Sequence, residues 1–279
     1  MTNLIRSSAS IREYTPLASS DAMTRSLMDA IADTSTTTDE YRHSMHELGK
    51  KLAAGVLPKI TSDESEDVYV VCTVEDADFL ARGVIDELES RGFGSRIKLM
   101  CLWNTKVRDE GVSLSPILRQ YKEDSSAATA SFIVVKSIIS GACVVKTNLT
   151  RALSTIEPAQ VFVVSPVLLK GAQKRLSEEF PTEISNKFEY VWMATDSEKD
   201  GENVIPGIGG SVYERLGLGD EDRKNQYTPF IVKERRKNQQ EAKVSGVAIL
   251  KTAVPPRRAG LAGAKTATGR STNVFHRSV

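Results

Sequence analysis

What most constrains this chain is a rhythm in which short apolar, β-branched runs alternate with longer stretches of helical periodicity. The segments "VYVVC" (68–72), "RIKLMCLW" (96–103), "SFIVV" (131–135), "VFVVS" (161–165) and "FEYVWMA" (188–194) are too short to be helices and rich in strand formers. Between them lie amphipathic stretches. Ala77, Leu80, Val84 and Leu88 form one stripe that stops at Gly92, and Ala142, Val145, Leu149 and Ala152 share one side of a helix expected from about Gly141 to Ser154. "KGAQKRLSEEF" (170–180) reads as a further helix, and Met45, Leu48, Leu52 and Val56 mark one ahead of the first strand. The alternation predicts an α/β fold whose parallel sheet carries helices on both faces. Ligands of such sheets bind beyond the carboxyl ends of the strands. Attention therefore falls on "TVEDAD" (73–78), on "KSIISGAC" (136–143) and on the segment after "VWMA". Residues 104–130 carry no clear period and are longer than an ordinary connection, as a lid or hood would be.

The remaining sequence sets boundaries. Residues 1–38, rich in Ser, Thr and Ala, read as a lead-in, residues 39–240 as the domain, and residues 241–279 as a flexible basic tail, with no acid among the last 28 residues. Such a tail could hold RNA. A net charge of +1 argues against a globally basic nucleic-acid coat. No apolar run reaches the roughly 18 residues of a bilayer span, and the first residues lack a secretory pattern, so a cytoplasmic protein without membrane contact is expected. Cys72, Cys101 and Cys143 each sit in an apolar run, as reduced buried thiols do. His43 and His46, three apart on a helix, have no third ligand nearby in sequence and read as a solvated face.

The order of these pieces is similar to the type I phosphoribosyltransferase fold: the turn "TVEDAD", a long connection, a strand-loop-helix ending in Ser140-Gly141, and a late glycine-rich loop. Residues 41–236 take part in the resemblance. "NVIPGIGGSVYERLG" (203–217) further resembles the uracil phosphoribosyltransferase signature, with Ile205, Pro206, Gly207, Ile208 and Gly209 in the base-reading loop and Arg215 as its later arginine. The resemblance implies that the chain binds phosphoribosyl pyrophosphate or a nucleotide, transfers phosphoribosyl to a pyrimidine-like base, and forms a homodimer. It places the 5-phosphate on Ser140, Gly141, Ala142 and Cys143, with Lys136 and Ser137 beside them, and pyrophosphate on Thr73 and Val74. Glu75, Asp76 and Asp196 then become candidate catalytic acids, Glu198 lies near the last of these, and Mg2+ is a possible cofactor between the carboxylates and pyrophosphate.

Two departures stand against turnover. The acidic pair expected in the phosphate loop is missing in either register, Val135-Lys136 or Lys136-Ser137, and Gly210 replaces the signature's final aspartate. Carboxylates there would support a developing oxocarbenium ion, whereas a lysine would attract phosphate. The alternatives are therefore an enzyme, an inactive sensor of the nucleotide or of phosphoribosyl pyrophosphate, and an RNA-binding regulator of the same fold. For Glu75, Asp76 and Asp78 the sequence leaves a relocated metal site or simple capping of the following helix open.

Overall fold

The computed structural model describes residues 12–252 apart from Ser62, Glu110, Gly111 and Thr155, with the side chains of residues 108–113 and 243–252 also left aside. Five strands form a parallel core: β2 (Asp67–Thr73), β3 (Ile97–Asn104), β7 (Thr129–Val135), β9 (Glu157–Leu169) and β10 (Phe188–Asp196). Their spatial order is β10-β9-β7-β2-β3. Antiparallel strands close both edges, with β1 (Arg12–Tyr14) against β10 and β6 (Ile117–Lys122) against β3.

Alternation along each strand decides which face a side chain serves. Val68, Val70 and Cys72 of β2 pack with Met45, Leu48, Leu52, Leu80 and Val84, which come from helices α3 (Thr38–Val56) and α4 (Leu80–Ser90). Tyr69 and Val71 turn to the other face, where helix α5 (Cys143–Leu153) contributes Val145, Leu149 and Ala152 and helix α6 (Ala172–Ser177) contributes Leu176. Both sheet faces are covered, as the alternation predicts.

Residues 12–38, expected as a lead-in, supply β1, the short helix α1 (Pro16–Ser19) and helix α2 (Ala22–Ala32), whose Met28 and Ile31 are fully buried. The separator "DTSTTTDE" holds a capping box: Thr37 Oγ1 accepts from the Glu40 amide (3.4 Å) while Glu40 Oε2 accepts from the Thr37 amide (3.1 Å). That fixes the start of α3, a contribution of about 1 kcal/mol.

The long connection is also less irregular than its sequence suggests. It contains the hairpin β4 (Val107–Asp109) and β5 (Val112–Leu114) as well as β6, and short two-sided strands leave no strong period to detect. The strand ending at Val135 resumes as β8 (Ile138–Ile139) against β9, so Lys136 and Ser137 are a break in a strand, and the open loop is only residues 140–142.

Helices α3 and α4 approach through Gly49 and Gly83. A Cβ on Gly83 would stand 2.0 Å from the His46 carbonyl oxygen, and one on Gly49 2.2 Å from that of Leu80. Gly83→Ala must push rigid backbones apart and is expected to cost about 2–3 kcal/mol in urea unfolding. A loss below about 0.5 kcal/mol would show that the two helices can separate freely.

The chain divides into two compact units, one ending at Arg236 and the other beginning at Lys237. Helix α10 (Phe230–Thr252) runs past that boundary, so residues 241–252 of the expected tail are helical, with an i,i+4 ion pair from Lys237 to Glu241 ahead of them. The remainder of the tail, with its RNA expectation, lies outside the described residues.

Candidate functional site

The chain steps from β2 to β3 on one side and then crosses back to β7 on the other, so the direction in which strands are added reverses between β2 and β7. At such a reversal the loops leaving the two strands separate and open a crevice. Here the crevice is filled from within. Lys136 extends its ammonium to Asp76 Oδ2 (2.8 Å) and Glu75 Oε1 (3.1 Å), and Thr73 Oγ1 donates to Asp76 Oδ2 (2.8 Å). From the other side Lys224 reaches within 4.0 Å of Glu75 Oε2 and donates to the Asn104 carbonyl (3.0 Å).

Most of this is buried, with Asp76 1% exposed, Lys224 5% and Glu75 7%, while Lys136 is partly buried. Burial pushes the Glu75 carboxyl up, but the attraction of Lys136 and Lys224 outweighs it and holds the group at about 2. Burial likewise lowers Lys136, and Asp76 and Glu75 more than reverse that, raising it above the ordinary lysine value. The two candidate acids and the candidate phosphate lysine are thus brought together, but on one another. Ser137, Thr73 and Val74 are buried in the same place, at 0–1% exposure. The donor set does not fit a magnesium ion as it stands. The carboxylates already face an ammonium, and the described residues contain no group of three or more His, Cys, Asp or Glu arranged for a metal. Nor do the acids cap α4: Glu75 and Asp76 serve the lysines, and Asp78 accepts from the amides of Phe230 (2.7 Å) and Ile231 (2.8 Å) at the start of α10.

Asp196, at the end of β10, is fully buried and held by Arg12. Arg12 Nε donates to Oδ1 and Nη2 to Oδ2, both at 2.7 Å, and Nη2 also donates to the Gly207 carbonyl (2.5 Å). The Gly207 amide returns to Asp196 Oδ2 (2.8 Å). The loop at 205–210 is therefore clamped to the sheet on both sides of one residue, Gly207. Gly207 sits at φ +60° with the space for a Cβ taken by the Val204 carbonyl oxygen 2.2 Å away, so no other residue fits there. Tyr41, fully buried on α3, donates its hydroxyl to the Ile208 carbonyl (3.1 Å). Arg215 does not face a ligand. Its guanidinium donates to the carbonyls of Asp33 (2.7 Å), Thr34 (2.8 Å) and Thr36 (3.2 Å) and lies over the Tyr41 ring.

Of the phosphate-loop candidates Ser140, and of the base-loop candidates Ile208, line one cleft. Ile138, Glu202, Asn203, Val204 and Gly210 complete its lining, and its space is ≈ 50 Å³. That is room for the edge of a ligand with a few waters. Gly141, Ala142 and Cys143 follow at the start of α5. No side chain caps this helix and its first turn holds no acid, so its N-terminal polarity is not offset by an acid there. Gly141 is exposed, while Ala142 and Cys143 are half-buried. Ile205 is 37% exposed, and Pro206 and Gly209 are partly so.

Several residues in this region had no signal in the sequence. Lys224 lies on the short helix α9 (Glu221–Gln226), in a strap that crosses the crevice. Glu221 anchors it by accepting from Thr105 Oγ1 (2.9 Å) and the Lys106 amide (2.6 Å), and Tyr227 bonds Asp78 through its hydroxyl. Cations of the long connection are engaged within the protein. Arg119 lies over Trp103 and donates to the carbonyls of Asn225 (2.9 Å) and Tyr227 (2.8 Å), and Lys106 pairs with Glu202 (3.3 Å).

No protein-family model matches the chain, and no curated protein matches it in sequence. Solved structures do resemble it. The AQ2163 protein from Aquifex aeolicus is 18% identical, with 70% of this chain and 94% of that one covered at a TM-score of 0.54. Hypoxanthine-guanine phosphoribosyltransferase from L. donovani is 17% identical over 66% of this chain and 88% of its own, with a TM-score of 0.33. A hypoxanthine phosphoribosyltransferase from Staphylococcus aureus is 10% identical over 56% and 74%, with a TM-score of 0.34. At these identities the likeness shows a fold, and it is the Aquifex protein that carries it.

Proposed function

We propose that this protein binds a phosphorylated ribosyl ligand, phosphoribosyl pyrophosphate or a nucleotide, in the cleft between residues 140–143 and 205–210, and holds it without transferring the ribosyl group. The phosphate is received by amides at the start of α5, and the ring or its substituent lies against the second loop. The reading draws on the sequence resemblance and on Ser140 lining one cleft with Ile208 and Gly210. The single observation behind the absence of transfer is the ion-paired crevice. Glu75 and Asp76 are committed to Lys136, and Asp196 is committed to Arg12, so no free carboxylate among these candidates faces a developing positive charge. Phosphoribosyl transfer to a pyrimidine-like base remains the competing reading. A homodimer is proposed from the resemblance alone.

Calorimetry with phosphoribosyl pyrophosphate and with a panel of nucleoside 5′-monophosphates tests binding, and pyrophosphate release in the presence of magnesium and a panel of bases tests transfer. Binding without release is expected; steady release with any base would establish the enzyme instead. Gly141→Glu adds a carboxylate where a new side chain meets nothing within 4 Å, so the fold is expected to persist. Repulsion of the phosphate should weaken binding at least 100-fold, about 2.7 kcal/mol. Unchanged affinity in that variant would remove the phosphate from this loop.

A further inference from the structure

The turn to which the resemblance assigns pyrophosphate is used up by the protein itself. Residues 73–76 are all buried, at 0–7% exposure, and none of them lines the cleft. An anion held there would need donors, and those of the turn point inward. The Val74 amide donates to the Leu102 carbonyl (2.9 Å), the Asp76 amide to the Thr73 carbonyl (3.1 Å), and the Thr73 hydroxyl to Asp76 Oδ2 (2.8 Å). The Lys136 ammonium lies between Glu75 and Asp76, and its own amide ties the residue to β9 through the Val164 carbonyl (3.1 Å). What remains unmet is the opposite of what a phosphate brings. Glu75 Oε2 and Asn104 Oδ1 are buried acceptors without a hydrogen bond among the described residues, and a phosphate oxygen supplies no donor to either. Charge points the same way. Two carboxylates and the ammoniums of Lys136 and Lys224 already balance, so pyrophosphate would add uncompensated negative charge to a buried site, and a divalent cation uncompensated positive charge. A magnesium pyrophosphate complex fares no better there, because the ion takes oxygen ligands at about 2.0–2.1 Å and both carboxylates already hold an ammonium.

We propose that the ligand of this protein carries a single phosphate and binds without a divalent cation: it is a nucleoside 5′-monophosphate, and phosphoribosyl pyrophosphate gains nothing from its pyrophosphate arm. This deepens the ribosyl-phosphate reading and rests on it. The Lys136 ammonium holds the place that a metal ion between Glu75 and Asp76 would take. The strap keeps the crevice shut over it. Lys224 reaches in from α9, while Glu221 and Tyr227 fasten the strap to the Lys106 amide and to Asp78.

Ribose 5-phosphate and phosphoribosyl pyrophosphate differ only at C1, so comparing them separates the crevice from any contact with a base. Calorimetry on the full chain, direct or by displacement of a bound nucleotide, is run once with a chelator and once with excess magnesium. The two sugars are expected to agree within about threefold in both conditions, and at least one nucleoside 5′-monophosphate of a panel to bind about tenfold more tightly than either, with or without the metal. Amide exchange followed by NMR should show Val74 and Asp76 protected in the free protein and unchanged when phosphoribosyl pyrophosphate and magnesium are added. A gain beyond about threefold from the pyrophosphate in either condition overturns the inference while leaving ribosyl-phosphate binding intact. So does a panel in which no nucleotide binds better than ribose 5-phosphate, a nucleotide that needs magnesium to bind, or a change of exchange at Val74 or Asp76. Failure of every nucleotide and of both sugars to bind overturns the functional reading and this inference with it.

Discussion

Lys136→Met is expected to destabilise the protein by about 3–5 kcal/mol at neutral pH, because it strips the ammonium from two buried carboxylates without removing either. Lys224, at 4.0 Å from Glu75 Oε2, is too distant to replace it. The deficit has a pH signature whose sign follows from the shifts. In the native protein Glu75 is held down at about 2 from a starting value of 4.5. Its contribution is therefore complete above the ordinary carboxylate range and fades as pH falls from there toward 2. Lys136 is raised above 10.5, so its contribution is complete below that value and fades as pH climbs through the native one. Native stability from this cluster should be flat between roughly pH 5 and 10. In Lys136→Met the carboxylates have lost the partner that favoured their charge, so acidification from pH 7 to 5 should narrow the gap to the parent. Adding Glu75→Gln should recover part of the loss. Urea unfolding at several pH values reads all of this, and a Lys136→Met penalty below about 1 kcal/mol at pH 7 would mean that the crevice admits water freely.

Arg12→Met should be of similar size, about 3–5 kcal/mol, since Asp196 is completely buried and its carboxylate would keep only the Gly207 amide among the bonds described above. Asp196→Asn in the same background removes the stranded charge, and the double variant should be more stable than Arg12→Met alone by about 1 kcal/mol or more. Additive losses would show that the two residues do not act as a pair. Such a result would also remove the physical basis for a clamped loop.

The fold was legible because its cause is local. Five short β-branched runs and the amphipathic stripe of Leu80, Val84 and Leu88 declare strand and helix whatever lies elsewhere, and the structure realises them as β2, β3, β7, β9, β10 and α4. Positions 104–130 hid three strands because an edge strand such as β6, with Leu118, Arg119 and Gln120 all exposed, has no apolar alternation to reveal it. The site was legible only by neighbourhood. Ser140, Ile208 and Gly210 do meet, but nothing in sequence could show that Lys136 would turn onto Glu75 and Asp76. Both readings of the acids missed the same fact: their partners are remote, Lys136 some 60 residues on and Arg12 184 residues before Asp196. Lys224, Tyr41 and Arg12 carried no motif because their roles exist only when sheet, helix and strap are assembled.

The bonds of Asp78 give the β2–α4 turn a long reach. One carboxylate receives the Tyr227 hydroxyl and the first two amides of α10, joining positions 152 and 153 residues apart into a single rigid joint. The peptide that carries Glu75 and Asp76 therefore cannot swing outward to admit a guest unless the root of that long helix swings too.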